Sequence, residues 1–140
     1  MRRNLVLTFL LAIVLASCSS LSQDVVGTSQ TQVQMRSYQS RAFDEPNVEK
    51  VMRAVVATLM DLGFMIDKAD LKLGTVTGTS YNNNSVMTVT ARSRDNSGGG
   101  QTIVRANAQR GYSAIDDPRA YQNFFNALSQ SLFLAAHEVD

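Results

Sequence analysis

Over three consecutive stretches, polar and apolar positions alternate with a period of two, the mark of strands with one buried face. Val76, Gly78 and Ser80 share one face, against Thr75, Thr77, Thr79 and Tyr81 on the other. In the next stretch Met87, Val89 and Ala91 oppose Thr88, Thr90, Arg92 and Arg94. In the third, Val104, Ala106 and Ala108 oppose Ile103, Arg105, Asn107 and Gln109. The polar run Asn82-Asn83-Asn84-Ser85 and the run Asp95-Asn96-Ser97-Gly98-Gly99-Gly100 read as the connecting turns. A one-residue slip turns every side chain over, so matching the faces sets the register. Pairing Ser80 with Met87, Gly78 with Val89 and Val76 with Ala91 keeps apolar or small residues together. The second hairpin matches Met87 with Ala108, Val89 with Ala106 and Ala91 with Val104. The expected product is an antiparallel meander with a small-residue inner face, covered on one side and wet on the other.

Two helical patterns flank the meander. Val48, Val51, Met52, Val55, Val56, Leu59, Met60 and Leu62 recur at three- and four-residue spacing, which predicts one buried helical stripe. Asp44-Glu45-Pro46-Asn47 opens that helix with an acidic cap and a proline in its first turn, and Gly63 closes it. The second stripe comprises Tyr121, Phe124, Phe125, Leu128, Leu132, Ala135, Ala136 and Val139, with Asp117 as N-cap and Pro118 at the first helical position. Phe64-Met65-Ile66-Asp67 reads as a short strand, bent by Leu71-Lys72-Leu73-Gly74 into the meander, and residues 34–43 read as extended. The predicted fold class is therefore α+β: a two-layer sandwich with a mostly antiparallel sheet, two helices on one face and element order β-α-β-β-β-β-α.

Ahead of this pattern the periodicity disappears. Arg2 and Arg3 precede an apolar run from Leu5 to Ala16, and small residues lead into Cys18, the chain's one cysteine. A charged start, a short apolar stretch and a small-residue end make a secretory signal. The run falls short of the roughly 20 apolar residues that span a bilayer. Leu15-Ala16-Ser17-Cys18 resembles the lipobox of bacterial lipoproteins. The resemblance implies cleavage before Cys18, diacylglycerol on its sulfur and an acyl chain on its amine. Several chains on one residue give stable anchoring, at about 0.8 kcal/mol per buried CH₂. Ser19 follows the cysteine where inner-membrane lipoproteins of this kind carry aspartate. By similarity to that sorting pattern, the expected place is the periplasmic face of the outer membrane, with the inner membrane second. The expected organisation is a signal at 1–17, lipidated cysteine and Ser/Gln/Thr-rich tether at 18–33, and a single domain at 34–140.

Charge narrows the function. The formal net charge is +1, and loss of the signal removes Arg2 and Arg3, so nothing marks a nucleic-acid partner. Catalytic residues are not expected either. His137 is the chain's one histidine and falls in the last turn of a helix, where it suits the helix dipole. A zinc site needs three or four ligands, and Cys18 is committed to lipid. Asp61, Asp67 and Asp70 lack the spacing and closing glutamate of a calcium loop. Gly98-Gly99-Gly100 has no following Lys-Ser/Thr and reads as a hairpin tip, not a phosphate cradle. Neither a cofactor nor a small-molecule substrate is expected. Arg92, Arg94 and Arg105, with Tyr81 and Ile103, form the one candidate ligand or partner face.

Leu59-Met60-Asp61-Leu62-Gly63-Phe64-Met65-Ile66, followed by Asp70 and then Leu73-Gly74-Thr75-Val76, resembles small BamC-like envelope lipoprotein domains, in which a helix ending in Gly-Phe and a strand after a glycine bend recur. The chain has room for one such domain, where BamC carries two. The resemblance implies a non-catalytic accessory role in an outer-membrane assembly, with the membrane and an envelope protein complex as partners. A second class of function is a binding module that takes a peptidoglycan or anionic lipid ligand on the open sheet face. The anchor can be tested first. Cys18→Ser should abolish incorporation of a clickable fatty acid and stable membrane association; label persisting in the variant would refute the assignment.

Overall fold

The computed structural model describes residues 32–96 and 99–137. The chain divides into two units, Met1–Gln34 and Met35–Asp140, and the second carries the fold. The signal, Cys18, the tether as far as residue 31, the hairpin tip at 97–98 and Val139 lie outside the described residues.

The elements in chain order are a short helix at 32–38 (α1), β1 (Ser40–Phe43), α2 (Val48–Asp61), β2 (Met65–Asp70), β3 (Thr75–Ser80), β4 (Ser85–Asn96), β5 (Gly99–Arg110), β6 (Ser113–Ala114) and α3 (Pro118–His137). The strands form one six-stranded antiparallel sheet in the order β1-β5-β4-β3-β2, with β6 also on β5. The two long helices pack over one face, giving the α+β sandwich that the alternation predicts. Two elements depart from expectation. Residues 32–38 are helical and not extended, since a single residue of that helix, Met35, packs on the core and leaves no stripe to read. The strand expected at 64–67 runs to Asp70, with a bulge between Ile66 and Lys68 that breaks its alternation.

The inner face is the one expected. Val76, Val89, Val104 and Ala106 are fully buried, and Met87, Ala91 and Ala108 nearly so. The β4–β5 register is the predicted one, with Met87 opposite Ala108, Val89 opposite Ala106 and Ala91 opposite Val104. The β3–β4 register differs from expectation by two residues: Gly78 faces Met87, Val76 faces Val89 and Ser80 faces Ser85. The turn occupies residues 81–84 and not 82–85, with Asn84 in the left-handed region at φ 50°. A two-residue slip keeps every side chain on its own face, so hydrophobicity cannot detect it.

Helix α2 is capped by Asn47, whose side chain accepts the Lys50 N–H; Pro46 therefore precedes the cap and is not in the first turn. Its end is a Schellman turn. Gly63 N–H donates to Met60 O, Phe64 N–H donates to Leu59 O, and Gly63 adopts φ +83°. The buried arc holds Val51, Met52, Ala54, Val55, Thr58 and Leu59. Met60 and Leu62, expected inside, are exposed, because the arc cannot span every apolar position of the stripe. Asp117 caps α3 as predicted, accepting the Arg119 N–H. Tyr121, Phe124, Phe125 and Leu128 are buried and Leu132 is half-buried, but Ala135 and Ala136 are exposed. Phe125 stacks edge-on against Phe124, 5.1 Å between centroids, and carries the Arg41 guanidinium 5.0 Å above its ring.

The two faces make opposite predictions for adjacent residues. Val89→Asp places an unpaired carboxylate at a fully buried site and should unfold the domain. Thr90→Asp, on the outer face, should change stability by less than about 1 kcal/mol. Urea unfolding followed by circular dichroism separates the two, and equal damage from both would mean that the outer face is covered as well.

Candidate functional site

The outer face of the sheet is built by alternation alone. Thr75, Thr77 and Thr79 on β3 lie beside Thr88 and Thr90 on β4, with Thr75 opposite Thr90 and Thr77 opposite Thr88. The Thr77 and Thr88 hydroxyls are 3.2 Å apart and hydrogen-bonded. Asp67, in the β2 bulge, accepts the Thr79 hydroxyl at 2.7 Å. Toward the β4–β5 hairpin the threonines give way to charge. Arg92 lies opposite Ile103, Thr90 opposite Arg105, and Arg94 opposite Gln101. Arg92 is therefore two residues along its strand from Arg94 and diagonal to Arg105, steps of about 7 Å.

All three arginines are exposed and Ile103 is half-buried. Arg105 donates through Nε to Ser40 Oγ at 3.2 Å, which leaves its terminal nitrogens to solvent. Among the described residues the ion pairs are Lys50–Glu45, Arg53–Glu49 and Arg119–Asp117, and none involves these arginines. Asp44, just after β1, accepts a hydrogen bond from Gln101 Nε2, opposite Arg94.

Four of the five residues singled out from the sequence thus come together: Arg92, Arg94, Ile103 and Arg105. Tyr81 does not join them. It is the first residue of the β3–β4 turn, toward the opposite end of β4 from Arg92, about 26 Å away along the strand direction. Parity along a strand assigned it to the face, but β3 ends at Ser80.

A second feature has no signal in the sequence. On the helix side, a groove of about 620 Å³ opens between the end of α2, the start of α3 and the β3–β4 end of the sheet. Leu62, Phe64, Met87, Ala108, Ile115 and Phe124 give it apolar walls, and Asn83, Arg110, Asp116 and Asn123 add polar groups. Its back is tied by the buried Tyr121, whose hydroxyl donates to Ile115 O at 2.6 Å and accepts from Ala108 N–H at 3.3 Å. The groove lies where the end of α2 and the start of α3 meet the β3–β4 end of the sheet. Periodicity tells which face is buried, not how far along it a helix reaches.

Two carboxylates are shifted, both by local hydrogen bonds. The Lys50 side chain and then the Asn47 N–H hold Glu45 below the ordinary carboxylate range. The Arg119 backbone N–H, then its guanidinium, do the same for the cap residue Asp117. Both belong to helix starts. Among the described residues no group of three or more His, Cys, Asp or Glu could hold a metal, and no helix is long and apolar enough to cross a membrane. No family model matches the chain, and no curated protein matches it.

The Tyr121 hydroxyl can be removed without changing the ring. Tyr121→Phe leaves the Ala108 N–H and the Ile115 carbonyl without this partner and should cost about 1–3 kcal/mol. Chemical denaturation measures it, and an unchanged midpoint would mean that both groups find other partners.

Proposed function

We propose that this chain is a non-catalytic accessory protein, lipid-anchored at the periplasmic face of the outer membrane, that docks on a protein complex of the cell envelope. The observation that carries the reading is the uncovered sheet face: α2 and α3 both lie on the other side, and neither covers the threonine and arginine positions of β3, β4 and β5. The lipobox resemblance at Leu15-Ala16-Ser17-Cys18 supports the anchor, and Ser19 supports outer-membrane sorting. A face of threonine hydroxyls flanked by half-buried Val86 and Ile103 suits a flat protein contact, with hydrogen bonds across its middle and modest apolar area toward its ends. An accessory role needs no reactive group on that face.

Affinity purification from detergent-solubilised envelope, with the anchor intact, tests the reading. A defined membrane protein should co-purify, and Thr77→Arg with Thr88→Glu, placed in the middle of the face, should weaken its recovery at least tenfold while the chain stays folded. Recovery of the chain alone, or of a partner indifferent to both substitutions, would count against this face as the docking surface.

A further inference from the structure

Three arginines grouped on two adjacent strands repel one another, and like charges at neighbouring sheet positions cost folding free energy. The chain carries twelve acidic residues, yet none of the described ones pairs with Arg92, Arg94 or Arg105. An arrangement that is unfavourable in the free protein and left unbalanced fits an anion supplied from outside. Guanidinium groups bind phosphate oxygens through paired, charge-assisted hydrogen bonds. The apolar content of the cluster narrows the source of the phosphate. Ile103 lies directly opposite Arg92, and exposed Ala42 of β1 lies on its other side. Basic residues ringing small apolar ones match the boundary between lipid headgroups and acyl chains.

We infer that Arg92, Arg94 and Arg105, around Ile103 and Ala42, form a docking site for the phosphates of anionic phospholipids in the leaflet that holds the acyl chains on Cys18. The inference rests on the anchored reading proposed above. Residues 19–31 separate the lipidated cysteine from the first described residue, a reach of at most about 45 Å. The tether therefore keeps the whole domain at high local concentration beside the leaflet, and the arginines decide which part of it meets the headgroups. Each basic residue near an anionic surface adds about fivefold in affinity, and three about a hundredfold. That is too little to hold a free protein on a membrane, but enough to orient one already tethered there. The β4–β5 hairpin end of the face then lies against the headgroups.

The test uses the full lipidated chain in vesicles. With Cys18 acylated, Ala42→Cys introduces the one free thiol, which takes a polarity-sensitive fluorophore; Gln122→Cys, exposed on α3, serves as the control. In phosphatidylcholine vesicles containing phosphatidylglycerol, the label at 42 should shift toward an apolar environment and the label at 122 should not. The shift should be absent in vesicles of phosphatidylcholine alone. It should fall at high salt, since exposed charges are screened beyond about 10 Å at 0.1 M. Replacing all three arginines with glutamate should abolish it while the chain stays bound to the vesicles through its lipid. If the glutamate variant loses its circular dichroism, the three Arg→Gln substitutions, which add no repulsion, give the same readout. An aqueous signal at 42 in anionic vesicles, or a shift that survives loss of the arginines, would overturn the inference. So would arginine-dependent binding to purified peptidoglycan with no shift in vesicles. Loss of the anchor itself would show separately, as loss of the protein from every vesicle.

Discussion

The Tyr121 hydroxyl ties α3 to a gap in the edge of the sheet, across a core that the apolar residues of both layers fill. Along the outer edge of β5, β1 pairs with Thr102–Arg105 and β6 with Gln109–Arg110, so the two short strands sit end to end with a gap between them. Gln39 O takes the Ala106 N–H and Ala108 O takes the Ile115 N–H, but the Ala108 N–H has no strand beside it. The Tyr121 hydroxyl accepts it, accepts Gln39 Nε2 as well, and donates its own proton to Ile115 O. A helix residue thus completes a sheet edge. The three bonds join β5, the segment before β1 and the link into α3 at one side chain, whose ring is fully buried. Fixing Tyr121 also sets the start of α3, and with it the placement of Phe124, Phe125 and Leu128 over the small residues of the sheet.

The sequence made the faces legible and left the lengths obscure, for a physical reason in each case. Alternation is a local property, so Val89 against Thr90 and Ala106 against Arg105 could be assigned without knowing any partner. The β4–β5 register came from matching faces, although the run 95–100 read as its turn continues both strands, to Asn96 and from Gly99. At β3–β4 four polar residues allowed two turns that preserve the faces, and Asn84 in the left-handed region selects the one beginning at Tyr81. Short elements with one buried residue, such as 32–38, carry no period at all. The edge strand β2 hid its true length behind the bulge at Asp67. Nothing local to Tyr121 announces that its hydroxyl closes a gap in the sheet.

The candidate face was legible to the same extent as the strands that build it. Arg92, Arg94, Ile103 and Arg105 fall on one side by parity, and the β4–β5 register makes them neighbours. Tyr81 was lost to that group by its place at the β3–β4 end of the sheet, since parity assigns a face but not a position along it. The groove beside Phe64 and Ile115 depends on where two helices stop over a sheet, and that is decided by packing across the whole core.

The sheet also shows where an assembly cannot form. An open sheet invites another strand at its edges, and both edges are blunted. The edge strand β1 has four residues and carries Arg41, drawn over Phe125. The edge strand β2 is interrupted by its bulge and carries Asp67, Lys68 and Asp70. Added strands would meet broken register on one side and a short, charged strip on the other. The face between them is different: the Thr77 and Thr88 hydroxyls bond each other and the Thr79 hydroxyl bonds Asp67, so part of its hydrogen bonding is already satisfied within the sheet. The outer face offers no such edge, and its threonines and arginines lie toward opposite ends of it.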